Sequence, residues 1–182
     1  MKKWLLPPFM VFFALGTLPA ATVSLLVVET GLSGESGRPQ SSLLWENGLF
    51  DVFFDAGHIV SNAPIMRLPE KTTEKLPGEV RTELDQAKNG GADYFIVILL
   101  EYPGAPAIEE TPVPAGTPAL TGELSVFGGK PEKVYMRIFS VADETLVYEA
   151  SCAGNTRLDV NEELLEVKKN AAKLIPQLRR RG

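Results

Sequence analysis

Residues 95–100, Phe95-Ile96-Val97-Ile98-Leu99-Leu100, form an apolar run with no polar interruption. A strand buried on only one face alternates, so this run predicts a strand over 93–102 that is covered on both faces. It is too short to cross a bilayer. Upstream, the β-branched stretch TVSLLVVET at 22–30 reads as a first strand, stopped by the glycine-rich GLSGESGRPQ. From 39 to 56 the period becomes helical, with Trp45, Leu49, Val52, Phe53 and Ala56 on one face and Gly57 as terminator. Gly48 lies inside that helix at a cost of about 1 kcal/mol relative to Ala, which tertiary packing must offset. HIVSN, from His58, predicts a short second strand, and 63–78 reads as irregular. A second helix is expected over 79–89, where Val80, Leu84 and Ala87 share a face ahead of Gly90-Gly91.

The second half begins with PGAPAIEETPVPAGTPALTG at 103–122, whose five prolines and three glycines predict an extended excursion with little regular structure. Strands are expected at 123–127, 133–141 and 145–153, with turns at GGKPE and Ala142-Asp143-Glu144, forming an antiparallel meander. Period-two alternation puts Leu146, Tyr148, Ala150 and Cys152 on one face of the last strand. A final helix over 161–179 aligns Leu164, Val167, Ala171 and Leu178, with Glu162, Glu163 and Glu166 early and Lys168, Lys169 and Lys173 late, as the helix dipole favours. Pro176 should kink or shorten its last turn. The fold class is α/β (α+β): a single mixed sheet with about three helices and an antiparallel C-terminal meander.

This element order resembles the small α/β domain shared by the TolB N-terminal domain, CsgG and the LpoB-type lipoproteins of the bacterial envelope. The likeness is carried by VSLLVVET at 23–30, AKNGGADYFIVILLEY at 87–102, KVYMRIFSVADETLVYEASCAG at 133–154 and the closing amphipathic helix. The resemblance implies an interaction module without catalytic residues of its own, whose partner is another envelope protein. The chain departs from the lipoproteins in having no cysteine to carry a lipid, and it lacks the further domains of TolB and CsgG, so neither a propeller nor a secretion pore is implied.

The N-terminus changes the picture of location. MKKWLLPPFMVFFALGTLPAA has Lys2 and Lys3 ahead of an apolar run and then small residues, the arrangement of a signal peptide over 1–21, followed by a single domain over 22–182. A retained inner-membrane anchor is the alternative, because Trp4 to Val28 carries no charge; Pro7-Pro8, Gly16 and Pro19 disfavour one continuous helix. The expected location is periplasmic or secreted, with membrane contact only through an uncleaved segment. Removing Lys2 and Lys3 reduces the 18 basic side chains to 16 against 23 acidic ones and moves the net charge from −5 to −7. That acidity, without a basic stripe, argues against nucleic acid as a partner. Of the 182 residues, 45% are apolar, which is globular in composition. Cys152 is the only cysteine, so no intrachain disulfide forms, and the residue reads as a small core hydrophobe.

Candidate chemistry is sparse. Gly31, Gly34 and Gly37 match neither the dinucleotide fingerprint nor the P-loop, and no cofactor is expected. Asp51, Asp55 and His58 are close in sequence, and a small periplasmic hydrolase or ligand-binding protein using them is the rival reading. However, Ser33 and Ser36 both miss the spacing of a nucleophile elbow. One His and one Cys do not make a zinc site, and no catalytic or metal residues are assigned. Within the Pro-rich excursion, Ile108, Val113 and Leu120 are the candidate partner-binding residues, since preset extended torsions lower the ordering entropy. Arg179-Arg180-Arg181 is a short basic tail, able to touch anionic headgroups but expected to be a solvated helix end.

Overall fold

The uninterrupted apolar run lies where its lack of alternation places it, between two strands and two helical layers. The computed structural model describes residues 20–32, 37–68, 74–103, 126–127 and 129–178. Within them the chain runs β1 (Thr22–Thr30), β2 (Arg38–Pro39), α1 (Gln40–Asp55), β3 (Ile59–Asn62), β4 (Met66–Leu68), α2 (Gly78–Asn89), β5 (Tyr94–Glu101), β6 (Val126–Phe127), β7 (Lys133–Ser140), β8 (Thr145–Ala153), α3 (Val160–Ala172) and α4 (Ile175–Leu178). The main sheet is mixed, in the order β3-β1-β5-β7-β8, with β4 also pairing with β1. β5 is parallel to β1 from Val23↔Tyr94 to Thr30↔Glu101 and antiparallel to β7 from Tyr94↔Ser140 to Glu101↔Lys133. Both of its edges are therefore hydrogen-bonded, and the α/β class holds.

Because successive strand residues point to opposite faces, the run divides cleanly. Ile96, Ile98 and Leu100 join Val23, Leu25 and Val27 of β1 and Val134, Met136 and Ile138 of β7 beneath Trp45, Leu49 and Phe53 of α1 and Val167 and Ala171 of α3. Phe95, Val97 and Leu99 join Leu26, Val28 and Phe139 beneath Val80, Leu84 and Ala87 of α2. All six residues of the run are at most 1% exposed, and burial of each such side chain contributes about 1.5–3 kcal/mol. The junction into β5 depends on Gly91, whose φ of +77° ends α2 in the left-handed region that a side chain disfavours.

Four expectations need correction. The stretch 63–78 is not wholly irregular: β4 continues the sheet edge begun by β3, pairing Val28–Thr30 of β1 after β3 has paired Thr22–Leu25. Pro64, which has no N–H to give the ladder, lies between the two pieces. The strand expected at 123–127 is described only at Val126–Phe127, and it leaves the meander: β6 pairs in parallel with β2 as a separate two-stranded sheet. The single sheet of the sequence reading is thus one six-stranded sheet plus this small ribbon. Leu146 is also not on the face of Tyr148, Ala150 and Cys152, because β8 opposes Ile138 with Tyr148 and Phe139 with Leu146. That irregularity makes Val147 the extra residue and turns Leu146 toward the α2 side. Finally, the last helix divides. α3 stops at Ala172 and α4 starts at Ile175, as expected when Pro176 cannot donate to the carbonyl of Ala172.

Gly48 receives its explanation here. A Cβ built on it would lie 2.6 Å from Cγ1 of Val167, so the missing side chain is what lets α1 and α3 approach. Val167 is β-branched and stiff on a helix, so it has little room to yield. Gly48→Ala should therefore destabilise the domain by about 1–3 kcal/mol despite its better helix propensity. Adding Val167→Ala should cost less in that background than in the wild type, a coupling that urea denaturation of the four proteins measures directly.

Candidate functional site

In sheets built from parallel strands, ligands bind beyond the carboxyl ends of the strands. Here that end gathers several buried polar residues, Glu29, Thr30, Ser41, Ser42 and Glu163 among them. β1 delivers Glu29, only 1% exposed, and β4 delivers Arg67 beside it. The Arg67 guanidinium donates from Nε at 2.9 Å and Nη2 at 2.7 Å to Oε2 of Glu29, and from Nη2 at 2.8 Å to the Gly37 carbonyl. β5 runs out at Tyr102, whose hydroxyl shares a 2.8 Å hydrogen bond with Ser42 in the first turn of α1. Ser41 donates at 2.5 Å to Oε1 of Glu163 on α3, and Lys130 donates at 2.5 Å to Oε2 of the same carboxylate and at 2.8 Å to the Leu158 carbonyl. Burial pushes the Tyr102 phenol well above its ordinary range; the Ser42 hydrogen bond opposes this, and the Glu29 and Glu163 carboxylates add to it. The phenol thus stays neutral and serves as a hydrogen-bonding group.

Each of these contacts joins two elements. Glu29–Arg67–Gly37 ties the sheet edge to the segment leading into α1, Ser42–Tyr102 ties α1 to β5, and Ser41–Glu163–Lys130 ties α1, α3 and the approach to β7 together. The arrangement is one of internal staples rather than an open nucleophile and base. The sequence reading missed it, although Glu29 left a signal: a carboxylate near the end of a strand too apolar to be wet. Among the described residues, no group of His, Cys, Asp and Glu side chains is placed to hold a metal ion.

The sequence-predicted cluster lies at the other end of the sheet. Asp51 forms a 2.7 Å ion pair with Lys168 across the α1–α3 seam, Asp55 is exposed, and His58 is buried, its Nδ1 accepting from the Ala21 amide at 3.3 Å. Asp51 and His58 thus serve different contacts. Cys152 is half-buried, with Asn170 Nδ2 at 4.0 Å, and burial raises its thiol above the usual value, which disfavours the reactive thiolate. It borders a cleft of about 20 Å³ with Trp45, Val134, Glu166 and Asn170, the volume of a single water. A wider cleft of about 160 Å³ is lined by Thr22, Ser24, Ser61, Asn62, Glu83 and Gln86. Ile108, Val113, Leu120 and the 179–181 arginines lie outside the described residues, as does most of the 103–122 excursion.

Large apolar side chains also reach solvent. Phe50 and Phe54 stack on α1 with ring centroids 6.1 Å apart, Phe54 is 63% exposed, and Ile59 of β3 is 62% exposed; Leu165 on α3 is more exposed still. Amphipathic periodicity gave no warning of these, because they sit on the faces it assigns to water.

A family model described as "Uncharacterised protein" matches residues 25–113. A search of curated proteins finds no match. Among solved structures, the chain is similar to the PelC dodecamer from Paraburkholderia phytofirmans at 17% identity, covering 91% of this chain and 93% of that one, with a TM-score of 0.43. It is similar to a lipoprotein from Neisseria meningitidis at 12% identity, covering 87% and 99%, with a TM-score of 0.39. A third likeness, at 6% identity and a TM-score of 0.37 over 87% and 83%, is to a Xanthomonas campestris protein of the DUF330 family model. These are other proteins than the TolB, CsgG and LpoB-type domains that the sequence pattern resembles.

Proposed function

We propose that the chain is an exported, non-enzymatic interaction module of the bacterial cell envelope, similar to the TolB N-terminal, CsgG and LpoB-type domains, and that it works by binding another envelope protein. The observation that carries the reading is how the domain distributes its side chains. The buried charged groups Glu29, Arg137 and Glu163 are engaged with partners inside the molecule, while Phe50, Phe54, Ile59 and Leu165 reach solvent. In this reading those side chains, with Phe50 and Phe54 stacked together, supply the apolar area buried against the partner. Ile108, Val113 and Leu120 of the Pro-rich excursion are the further contact residues of this reading.

Export is tested by intact-mass measurement on protein from its native host. Processed protein should lack the first 20 or 21 residues, and the retained-anchor form would keep Met1 on the membrane; Met1-bearing protein confined to the cytoplasm would overturn export. The enzymatic rival has its own test. A hydrolytic activity of the pure protein that His58→Ala abolishes, with the melting curve unchanged, would overturn the non-enzymatic reading.

A further inference from the structure

The single helix α2 covers its face of the sheet incompletely. A helix is about 10 Å wide, whereas five strands spaced about 4.8 Å apart span about 20 Å. Val80, Leu84 and Ala87 lie over Leu26 and Val28 of β1, Phe95, Val97 and Leu99 of β5 and Phe139 of β7, and β3 adds no residue to this core. The flank between α2 and the edge strand β3 is therefore open. There lies the cleft of about 160 Å³ bordered by Thr22, Ser24, Ser61, Asn62, Glu83 and Gln86, roughly ten times the space that a single water needs. Among the described residues, no basic side chain lines it.

Its polar groups are weighted toward acceptors. The Asn62 carboxamide donates from Nδ2 to Oε1 of Glu46 at 2.8 Å, and that of Gln86 donates from Nε2 to Oε1 of Glu83 at 3.3 Å. Both amide nitrogens are thus drawn to carboxylates, and the carbonyl oxygens are what the two side chains keep in full. Glu83 adds a half-buried carboxylate, and the hydroxyls of Thr22, Ser24 and Ser61 accept as well as donate. The local field has the same sign. Ala87 and Gly90 bring the C-terminal end of α2, the negative end of its dipole, to the cleft, and Asp93 accepts from the Thr22 amide at 2.8 Å. The cations of α2 are turned the other way: Arg81 and Lys88 both pair with Glu144 in the β7–β8 turn, at the opposite flank. Ile59 is paired with Thr22 and shares a strand face with Ser61. It is 62% exposed and offers an apolar surface beside these acceptors.

A group that only donates suits such a site, and an ammonium has three donors and no acceptor. We propose that the cleft binds a protonated primary amine on an alkyl stem, with the ammonium among Glu83, Ser24 and Ser61 and the stem along Ile59. An anion would be repelled by Glu83 and by the helix end, and among the described residues no group of carboxylates is placed to hold a bare metal ion. A free alkylamine and a lysine side chain of another protein present the same ammonium. The inference stands apart from the proposed function, because it requires neither export nor a protein partner.

The test follows the backbone amides of the full chain in a neutral detergent by NMR at about pH 7, where alkylamines are protonated. Butylamine should shift the amides of Ser61, Ala63, Gly90 and Ala92 saturably. Butan-1-ol, which lacks the charge, and butyltrimethylammonium, which has the charge but no N–H, should each bind at least fivefold more weakly. Equal binding by either would overturn the proposal, as would the absence of a saturable shift at these amides. Glu83→Gln should weaken butylamine binding at least fivefold, whereas Asp85→Asn, which removes the same charge elsewhere on α2, should change it less than twofold. Equal losses would reduce the effect to general attraction by an acidic surface and overturn the site. If Glu83→Gln does not fold, the three probes on the unmodified chain decide by themselves. Cadaverine and Nα-acetyl-lysine N-methylamide separate the two sources: tighter binding of the diamine assigns a free amine, and tighter binding of the lysine amide assigns a protein side chain. Failure of every probe leaves the proposed function standing, since intact mass and the His58→Ala assay test it separately.

Discussion

Ile98→Asp should prevent the domain from folding. Ile98 is fully buried at the centre of β5, opposite Val27 and Met136, on the face where the sheet meets α1 and α3. A carboxylate placed there meets aliphatic side chains, and an unpaired buried charge costs at least ~4 kcal/mol, a large share of the ~5–15 kcal/mol that holds a domain together. Val97→Asp, one residue away, gives a sharper comparison. Val97 stands across from Arg137, which is 4% exposed and donates to Oε1 of Glu149 at 2.9 Å and to the carbonyls of Glu74 and Lys75 at 2.9 and 3.0 Å. A new carboxylate at 97 can draw on that guanidinium, so its cost should be several kcal/mol but smaller than at 98. Circular dichroism during urea titration ranks the two. A melting temperature unchanged by Ile98→Asp would remove the central-strand assignment, and with it the two-layer core.

Arg67→Ala carries the second large effect, because it strands the Glu29 carboxylate in the interior. Oε2 of Glu29 is held by two guanidinium hydrogen bonds, and Oε1 is buried with no hydrogen-bond partner among the described residues, so the ion pair is what makes this charge tolerable. Removing one partner of a buried pair costs about 3–5 kcal/mol, whereas removing both charges is often close to neutral. Arg67→Ala should therefore lower stability by that amount, and adding Glu29→Gln should recover about 2 kcal/mol or more. The thermal denaturation of the two variants separates this from simple loss of packing by the arginine stem, which the second substitution would not restore. A loss below ~1 kcal/mol in Arg67→Ala would mean that the Glu29–Arg67–Gly37 contact does not hold the end of the sheet.

Both predictions bear on the proposed function, since an interaction module must keep its contact surfaces on a rigid frame. The staples hold one end of the sheet, while Phe54 and Ile59 are exposed at the other and Leu165 on α3. The Asp51, Asp55 and His58 grouping was legible as residues adjacent in sequence. Adjacency did not reveal that Asp51 would face Lys168, more than a hundred positions later, or that His58 would meet Ala21.

What the sequence determined by itself was the set of elements whose cause is local and repeated. The run at 95–100 declares a doubly covered strand by its lack of alternation, 79–89 declares a helix by its period and its glycines, and Pro176 announces that the last helix must kink or shorten near its end. Each rests on several neighbouring residues that agree. The tertiary structure alone decided features whose cause lies in a distant partner. β4 is a strand because β1 offers it an edge, and β6 pairs with β2 although its sequence neighbours pair elsewhere. The irregularity at Val147 is set by the register with Ile138 and Phe139. Gly48 looks like a helix fault until Val167 is seen to need the space. Short strands and single contacts carry too few residues to leave a period in the chain, so their energy comes from cross-chain pairing and packing, which no window of the sequence contains.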